Sequence, residues 1–288
     1  MNSSINWDFV QEHANQILAE GIFHLRQRDA SRAKLIAIDE PGNYLVSLDG
    51  IPRYIGEGVQ VRKRLNTQFH PKRSTFYKTF IKANPEAPRN LEEFRVQAMA
   101  TGFGRKEIED FGIVNIPTEL NKFQKNKRPK LPLAYTDEMW LLVQENQAKL
   151  LTEGAERYLE QSRVSWFEAT PPDAPGLYGL WGTGESAPLY IGESSELAKR
   201  YKSHSGNTYI SALRRHVGTE LLGFNLKEKY GKKDRAFTDD EDKTVSEFLS
   251  RCEYSWLPVG LGRYEVESFL IKEQVPELNR KGNRRQLV

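Results

Sequence analysis

One ordered set of residues occurs twice in this chain, and that repeat constrains the fold more than any other feature. Gly42-Asn43-Tyr44 is followed by Tyr54-Ile55-Gly56, and Gly176-Leu177-Tyr178 by Tyr190-Ile191-Gly192. Arg64 lies 10 residues after Tyr54, and Arg200 lies 10 after Tyr190. Glu109 stands 12 residues before Asn121, and Glu267 stands 12 before Asn279. Upstream, Val10-Gln11-Glu12 and Leu18-Ala19-Glu20-Gly21 recur as Val143-Gln144-Glu145 and Leu151-Thr152-Glu153-Gly154. A repeat of this length is far too long for a solenoid. It suits two domains in tandem, expected over residues 1–130 and 131–288, each with a leading helix. The Tyr54/Tyr190 and Arg64/Arg200 pairs stand 136 residues apart, and the glutamate and asparagine pairs 158, so the second copy carries 22 extra residues. The charged stretch near 227–243 has the character of a surface insertion and is where they are expected.

Net charge is only +3, but its distribution is uneven. Residues 62–82 hold seven Lys/Arg and no Asp/Glu, residues 121–130 hold five cations, and Arg280 to Arg285 adds four. Basic clusters beside asparagine and aromatic residues suit a polyanionic partner. The clusters gain weight because each adjoins the repeated motif. The single cysteine, Cys252, excludes an intramolecular disulfide and a cysteine-rich zinc site. No run approaches the ~20 apolar residues of a membrane span, and the N-terminus lacks the basic-then-apolar order of a secretory signal. A soluble, cytoplasmic protein with no membrane partner is expected.

Leading helices are expected over 7–20 and over 137–162, the latter after a Thr136-Asp137 cap. A hairpin follows in each copy: Tyr44–Leu48, an Asp49-Gly50 turn and Arg53–Ile55; then Leu177–Trp181, a longer loop and Leu189–Ile191. Helices are expected over 59–69 and 75–82, and over 195–204 and 208–222. Third strands fall at 93–98 and 252–256. Last helices fall at 106–115 and 262–274, anchored by Phe111 and Ile113 and by Phe269 and Leu270. Each copy reads β-β-α-α-β-α, an α/β (α+β) layer with a three-stranded, antiparallel-containing sheet flanked by helices.

Taken in order, these residues resemble the GIY-YIG nuclease domain, with a Gly-x-Tyr strand, a Tyr-Ile-Gly strand, an arginine on the next helix, a glutamate on a later helix and a following asparagine. The resemblance covers most of both halves. In copy two it maps onto Tyr178, Tyr190, Arg200, His204, Glu267 and Asn279. In copy one it maps onto Tyr44, Tyr54, Arg64, Glu109 and Asn121. Arg200 and His204, four apart, share a helix face, an arrangement similar to the restriction-enzyme branch. Copy one departs there: Gln68 replaces the histidine, and His70, two residues on, would point to another face. That departure puts equal activity of the two copies in doubt.

The resemblance implies phosphodiester hydrolysis of double-stranded DNA. A single carboxylate, Glu267 in one copy and Glu109 in the other, would hold one Mg²⁺ per active site, with Mn²⁺ as a substitute. The planar fork of Arg200 suits a phosphate. Tyrosine ionises near pH 10 and is an unusual base, but a neighbouring cation makes its phenolate accessible. Tyr178 is the implied base, assisted by Tyr190 and His204, with Asn279 orienting neighbours or holding the phosphate. Glu265 rivals Glu267, but only Glu267 shares the asparagine spacing of Glu109. His216, beside Arg214 and Arg215, reads as a surface or DNA-facing residue, and Trp166, Trp181 and Trp256 as core. The expected activity is a type II-like restriction endonuclease, a monomer acting as a single-chain pseudo-dimer, with higher assembly open. A structure-specific repair nuclease and a DNA-binding protein with an inactive copy are the alternatives.

Overall fold

A computed structural model describes residues 5–86, 88–121, 128–133 and 138–279. The chain divides into two compact units, Met1–Leu150 and Leu151–Val288.

In the first unit the leading segment is two helices, α1 (Trp7–Glu12) and α2 (Ala14–Arg26), broken at His13. Asn6 caps α1 by accepting the Phe9 N–H at 2.9 Å. Strands β1 (Gly42–Leu48) and β2 (Ile51–Gly58) form a hairpin, with Asp49 and Gly50 both at positive φ (53° and 77°), as a tight primed turn requires. Helices α3 (Val61–Gln68) and α4 (Thr75–Ala83) follow, then β3 (Arg95–Ala100) and α5 (Arg105–Asn115). The third strand starts later than expected because Leu91–Glu93 closes into a 3₁₀ turn under an Asn90–Glu93 capping box. Helix α6 (Met139–Glu145) completes the unit, and α7 (Gln147–Leu159) contains the division point. The expected second leading helix is therefore two helices broken at Asn146; its Thr136-Asp137 cap lies outside the described residues.

The first sheet has the order β2-β1-β3, all antiparallel. Every residue of β1 is buried. Tyr44, Val46, Phe76, Phe80, Phe94 and Leu65 make one apolar cluster on the sheet. Each large side chain of this kind contributes about 2 kcal/mol by leaving water. Phe111 and Leu270 are core anchors as expected, whereas Ile113 and Phe269 are only half-buried.

The second unit has β4 (Val164–Ser165), β5 (Gly176–Gly182), β6 (Pro188–Ser194), α8 (Leu197–Ser205) and α9 (Ala212–His216). The helix expected over 208–222 starts only at Ala212, because Ser211 caps it, and then widens into a π turn at Val217–Leu221. The stretch expected as a surface insertion has structure of its own: β7 (Lys227–Lys229), β8 (Lys232–Ala236) and the start of α10 (Asp239–Ser250), which buries Val245 and Leu249. Strand β9 (Cys252–Pro258) and α11 (Arg263–Gln274) follow. The sheet order is β4-β9-β5-β6, antiparallel throughout, one short strand more than expected. Trp166 and Trp181 are core residues, but Trp256 is only half-buried.

The two sheets share register in detail. Tyr44 lies opposite Gly56 and Ala98, and Tyr178 opposite Gly192 and Trp256. A bulge falls after Val46 in one hairpin and after Leu180 in the other. In both units the hairpin's second strand is the edge strand of the sheet.

Candidate active site

Strand β5 carries Tyr178 into the interior, and β6 carries Tyr190 beside it, ring centroids 6.0 Å apart. Gly192 makes this possible: a Cβ there would lie 2.5 Å from Tyr178 Cζ and Oη. Gly56 has the same relation to the Tyr44 hydroxyl. The glycine of the Tyr-Ile-Gly strand is thus a space for the tyrosine one strand over.

Helix α8 supplies Arg200 and His204. His204 is buried, with Nε2 3.0 Å from the Tyr178 hydroxyl and Nδ1 2.7 Å from Ser211 Oγ. Burial, then the charges of Arg200 and Arg214, push its pKa down to about 3, so the ring is neutral at physiological pH. The Tyr178 phenol is held well above its ordinary range by burial first and by Tyr190 second, while Arg200 pulls the other way. Tyr190 is raised by burial and then by the Glu267 charge, again opposed by Arg200. Arg200 is therefore the cation common to Tyr178, Tyr190 and His204.

Helix α11 supplies Glu267. Its Oε1 accepts the Glu193 N–H from β6 at 3.0 Å. The Glu193 carboxylate is occupied elsewhere, accepting from Arg263 Nε at 2.9 Å with Arg263 4% exposed. The first unit repeats the pair as Arg105–Glu57. Gly104 and Gly262, which start the two glutamate helices, both have positive φ (85° and 93°), which only glycine adopts without strain. Sequence reading missed these ion pairs. The signal was present, because Gly104-Arg105 and Gly262-Arg263 keep the 158-residue offset of the glutamates and Glu57/Glu193 the 136-residue offset of the tyrosines.

Asn279, expected to orient neighbouring groups or hold the phosphate, bonds the backbone of β6. Its Oδ1 accepts the Ile191 N–H at 2.8 Å and its Nδ2 donates to the Ile191 carbonyl at 2.7 Å. Asn121 does the same to Ile55, at 2.9 and 2.8 Å. Leu278 N–H donates to Leu189 O at 3.0 Å, and Leu120 N–H to Arg53 O at 3.1 Å. The asparagines thus cover the open edge of each hairpin, each amide oxygen accepting from and each amide nitrogen donating to the backbone of one strand residue.

His216 is also closer to the chemistry than expected. It is half-buried, with its ring 6.4 Å from that of Tyr190.

In the first unit Tyr44 and Tyr54 stand 6.2 Å apart, with Arg64 as the nearby cation. The fully buried Tyr44 hydroxyl has Arg64 and Tyr54 as its side-chain hydrogen-bonding neighbours. Gln68, where unit two has its histidine, instead accepts the Thr75 N–H and hydroxyl, both at 3.3 Å. Glu109 is pushed up to about 7 by burial and then by Asp110, against the pull of Arg64. Unit two has Ser268 at the position of Asp110 and lacks that repulsion.

Among the described residues no three His, Cys, Asp or Glu side chains cluster as a metal cage. The donor set around Glu267 is one carboxylate, half-buried and oriented by a backbone N–H. It fits a hard divalent cation that keeps most of its water and takes the rest of its shell from phosphate. Among the described residues no helix is long and apolar enough to cross a membrane.

Residues 183–287 match the family model of the GIY-YIG catalytic domain. The matched segment carries Tyr190, Arg200, His204, Glu267 and Asn279; Tyr178 lies just upstream and joins them through its hydrogen bond to His204. No curated protein and no solved structure matches the chain.

Proposed function

We propose that this protein is a Mg²⁺-dependent DNA endonuclease of restriction type, in which the first unit is a second copy of the GIY-YIG domain and the chain acts as a pseudo-dimer. The observation that carries this reading is the convergence of Tyr178, Tyr190, Arg200, His204 and Glu267 in a unit that matches the GIY-YIG catalytic domain. Matched register, the bulge, the edge asparagine and the Arg–Glu pair support a second copy in unit one.

Tyr178, once ionised to its phenolate, would take the proton of the attacking water, since it is the buried tyrosine touching both Tyr190 and His204. Arg200 would neutralise charge on the phosphate and on the phenolate. Glu267, with Glu109 in the other copy, would hold Mg²⁺, which supplies Lewis-acid stabilisation of the leaving oxygen. Asn279 and Asn121 would keep the Tyr-Ile-Gly strands in place. The DNA partner is supported by the β7–β8 hairpin, where Lys227, Lys229, Lys232, Lys233 and Arg235 outnumber Glu228 and Asp234. Tyr230 at its turn is 78% exposed and meets Tyr209 edge-on at 5.4 Å.

A second reading, that unit one binds DNA and only unit two cuts, is favoured by the Gln68–Thr75 contacts and the raised Glu109. Plasmid cleavage with Mg²⁺ separates the two. In a pseudo-dimer Tyr178→Phe leaves a nicking enzyme. Loss of all cutting makes unit one a scaffold.

A further inference from the structure

His204 has both ring nitrogens engaged inside the protein, so its tautomer can be read from its partners. Ser211 is fully buried, and its Oγ accepts the Arg214 N–H at 3.1 Å as the cap of α9. The same oxygen lies 2.7 Å from His204 Nδ1. A serine hydroxyl has one proton and two lone pairs. Were Nδ1 protonated, Oγ would accept twice, and the serine proton would have no acceptor among the described residues. A buried donor left unmade is costly. With Nδ1 bare, Ser211 donates to it and accepts from Arg214, and the Tyr178 proton turns to the hydroxyl of Tyr190, its other side-chain hydrogen-bond partner. The ring proton then sits on Nε2, 3.0 Å from the Tyr178 oxygen.

We propose that Ser211 fixes His204 as the Nε2–H tautomer, making the histidine a standing hydrogen-bond donor to the Tyr178 oxygen and not a base that draws the tyrosine proton. A donor aimed at that oxygen favours the phenolate over the phenol. Ser211 is a positioning residue, acting through His204. The neutral ring accords with this, because an imidazolium would leave Ser211 facing a second N–H.

The relay is braced from α10. Arg214 is buried and donates to Asp242 Oδ1 at 2.8 Å, Asp242 O at 2.7 Å and Ser246 Oγ at 2.8 Å. It also reaches the His204 carbonyl at 3.4 Å. Helix α10 lies in the part of unit two that has no counterpart in unit one. There Ser74 caps α4 through the Tyr77 N–H at 3.0 Å, but Gln68 turns to Thr75 and no relay forms. The inserted helix is thus part of what equips unit two with its histidine.

The tautomer is a property of the folded chain; its effect on cleavage rests on the nuclease reading. Long-range ¹H–¹⁵N correlation on the full chain reads it directly, with His204→Gln identifying the resonance among the five histidines. The expected spectrum is Nε2–H with Nδ1 bare, kept in Ser211→Thr and mixed in Ser211→Ala. An Nδ1–H or doubly protonated ring in the wild type overturns the proposal, whether or not Ser211→Ala folds. In cleavage, Ser211→Ala is expected to lower kcat about 10-fold at unchanged KM, as loss of one directed hydrogen bond would, with recovery in Ser211→Thr. An unchanged kcat overturns the positioning role. An Nε2–H ring in a chain that cuts no DNA supports the relay and sinks the nuclease reading; an Nδ1–H ring in an active nuclease does the reverse.

Discussion

Holding His204 neutral in the folded chain makes the C-terminal unit sensitive to acid. The ring is 1% exposed, and its pKa falls from 6.5 to about 3 on folding, by burial first and then by Arg200 and Arg214. The sign follows from proton counting. Between those two values the unfolded chain binds the proton and the folded chain does not, so stability falls as pH falls below 6.5. At pH 5 the unfolded histidine is almost fully protonated, and the loss relative to pH 7.5 is about 2 kcal/mol. The perturbation is His204→Gln, the residue that unit one carries at this position as Gln68. Urea unfolding of both proteins, followed by tryptophan fluorescence from pH 7.5 to 5, gives the difference in stability at each pH. Groups common to both chains cancel. The wild type's advantage at pH 7.5 should shrink by about 2 kcal/mol at pH 5. A pH-independent difference, or one that grows on acidification, refutes the neutral buried ring.

Asn279→Ala should behave as a stability mutant: it leaves the buried Ile191 N–H and carbonyl without partners, at a cost of about 2–4 kcal/mol. Its residual kcat at low temperature should stay near wild type, and a folded but inactive protein would restore a phosphate-holding role. Gly192→Ala should do the opposite, keeping the sheet while displacing the Tyr178 ring that lies 2.5 Å from the new Cβ. A kcat loss of at least about 100-fold, near 2.7 kcal/mol, is expected at a small change in melting temperature; wild-type cleavage would show that Tyr178 does not set the rate.

How far the sequence could be read depended on whether a signal was local or shared between distant segments. The tyrosine strands, the Asp49-Gly50 turn and the glutamate helices announce themselves in short patterns, and the structure has them within a few residues. Arg200 and His204 were legible because four-residue spacing on a helix is geometry. Asn279 is legible as a position, but the sequence leaves open whether it orients neighbouring groups or holds a phosphate. Its spacing from Glu267 is the same whether its amide meets a phosphate or the edge of β6, and only the fold brings it to Ile191. Ser211 had no signal of its own, since a serine before a helix reads as a cap, which it also is. The stretch near 227–243 is legible as a charged surface insertion, but its charges mask a hairpin whose strands are only three and five residues long.

We propose that Glu267, with the tyrosine pair and Arg200, makes the C-terminal unit a metal-dependent nuclease. The most direct measurement incubates wild type and Glu267→Ala with a mixed panel of methylated and unmethylated genomic DNAs, in Mg²⁺ or in EDTA. Sequencing the ends reports what is cut. Discrete cleavage by the wild type in Mg²⁺, none in EDTA, and at least about a 100-fold lower rate for Glu267→Ala are expected. Cleavage that survives EDTA, or equal cutting by Glu267→Ala, would contradict it.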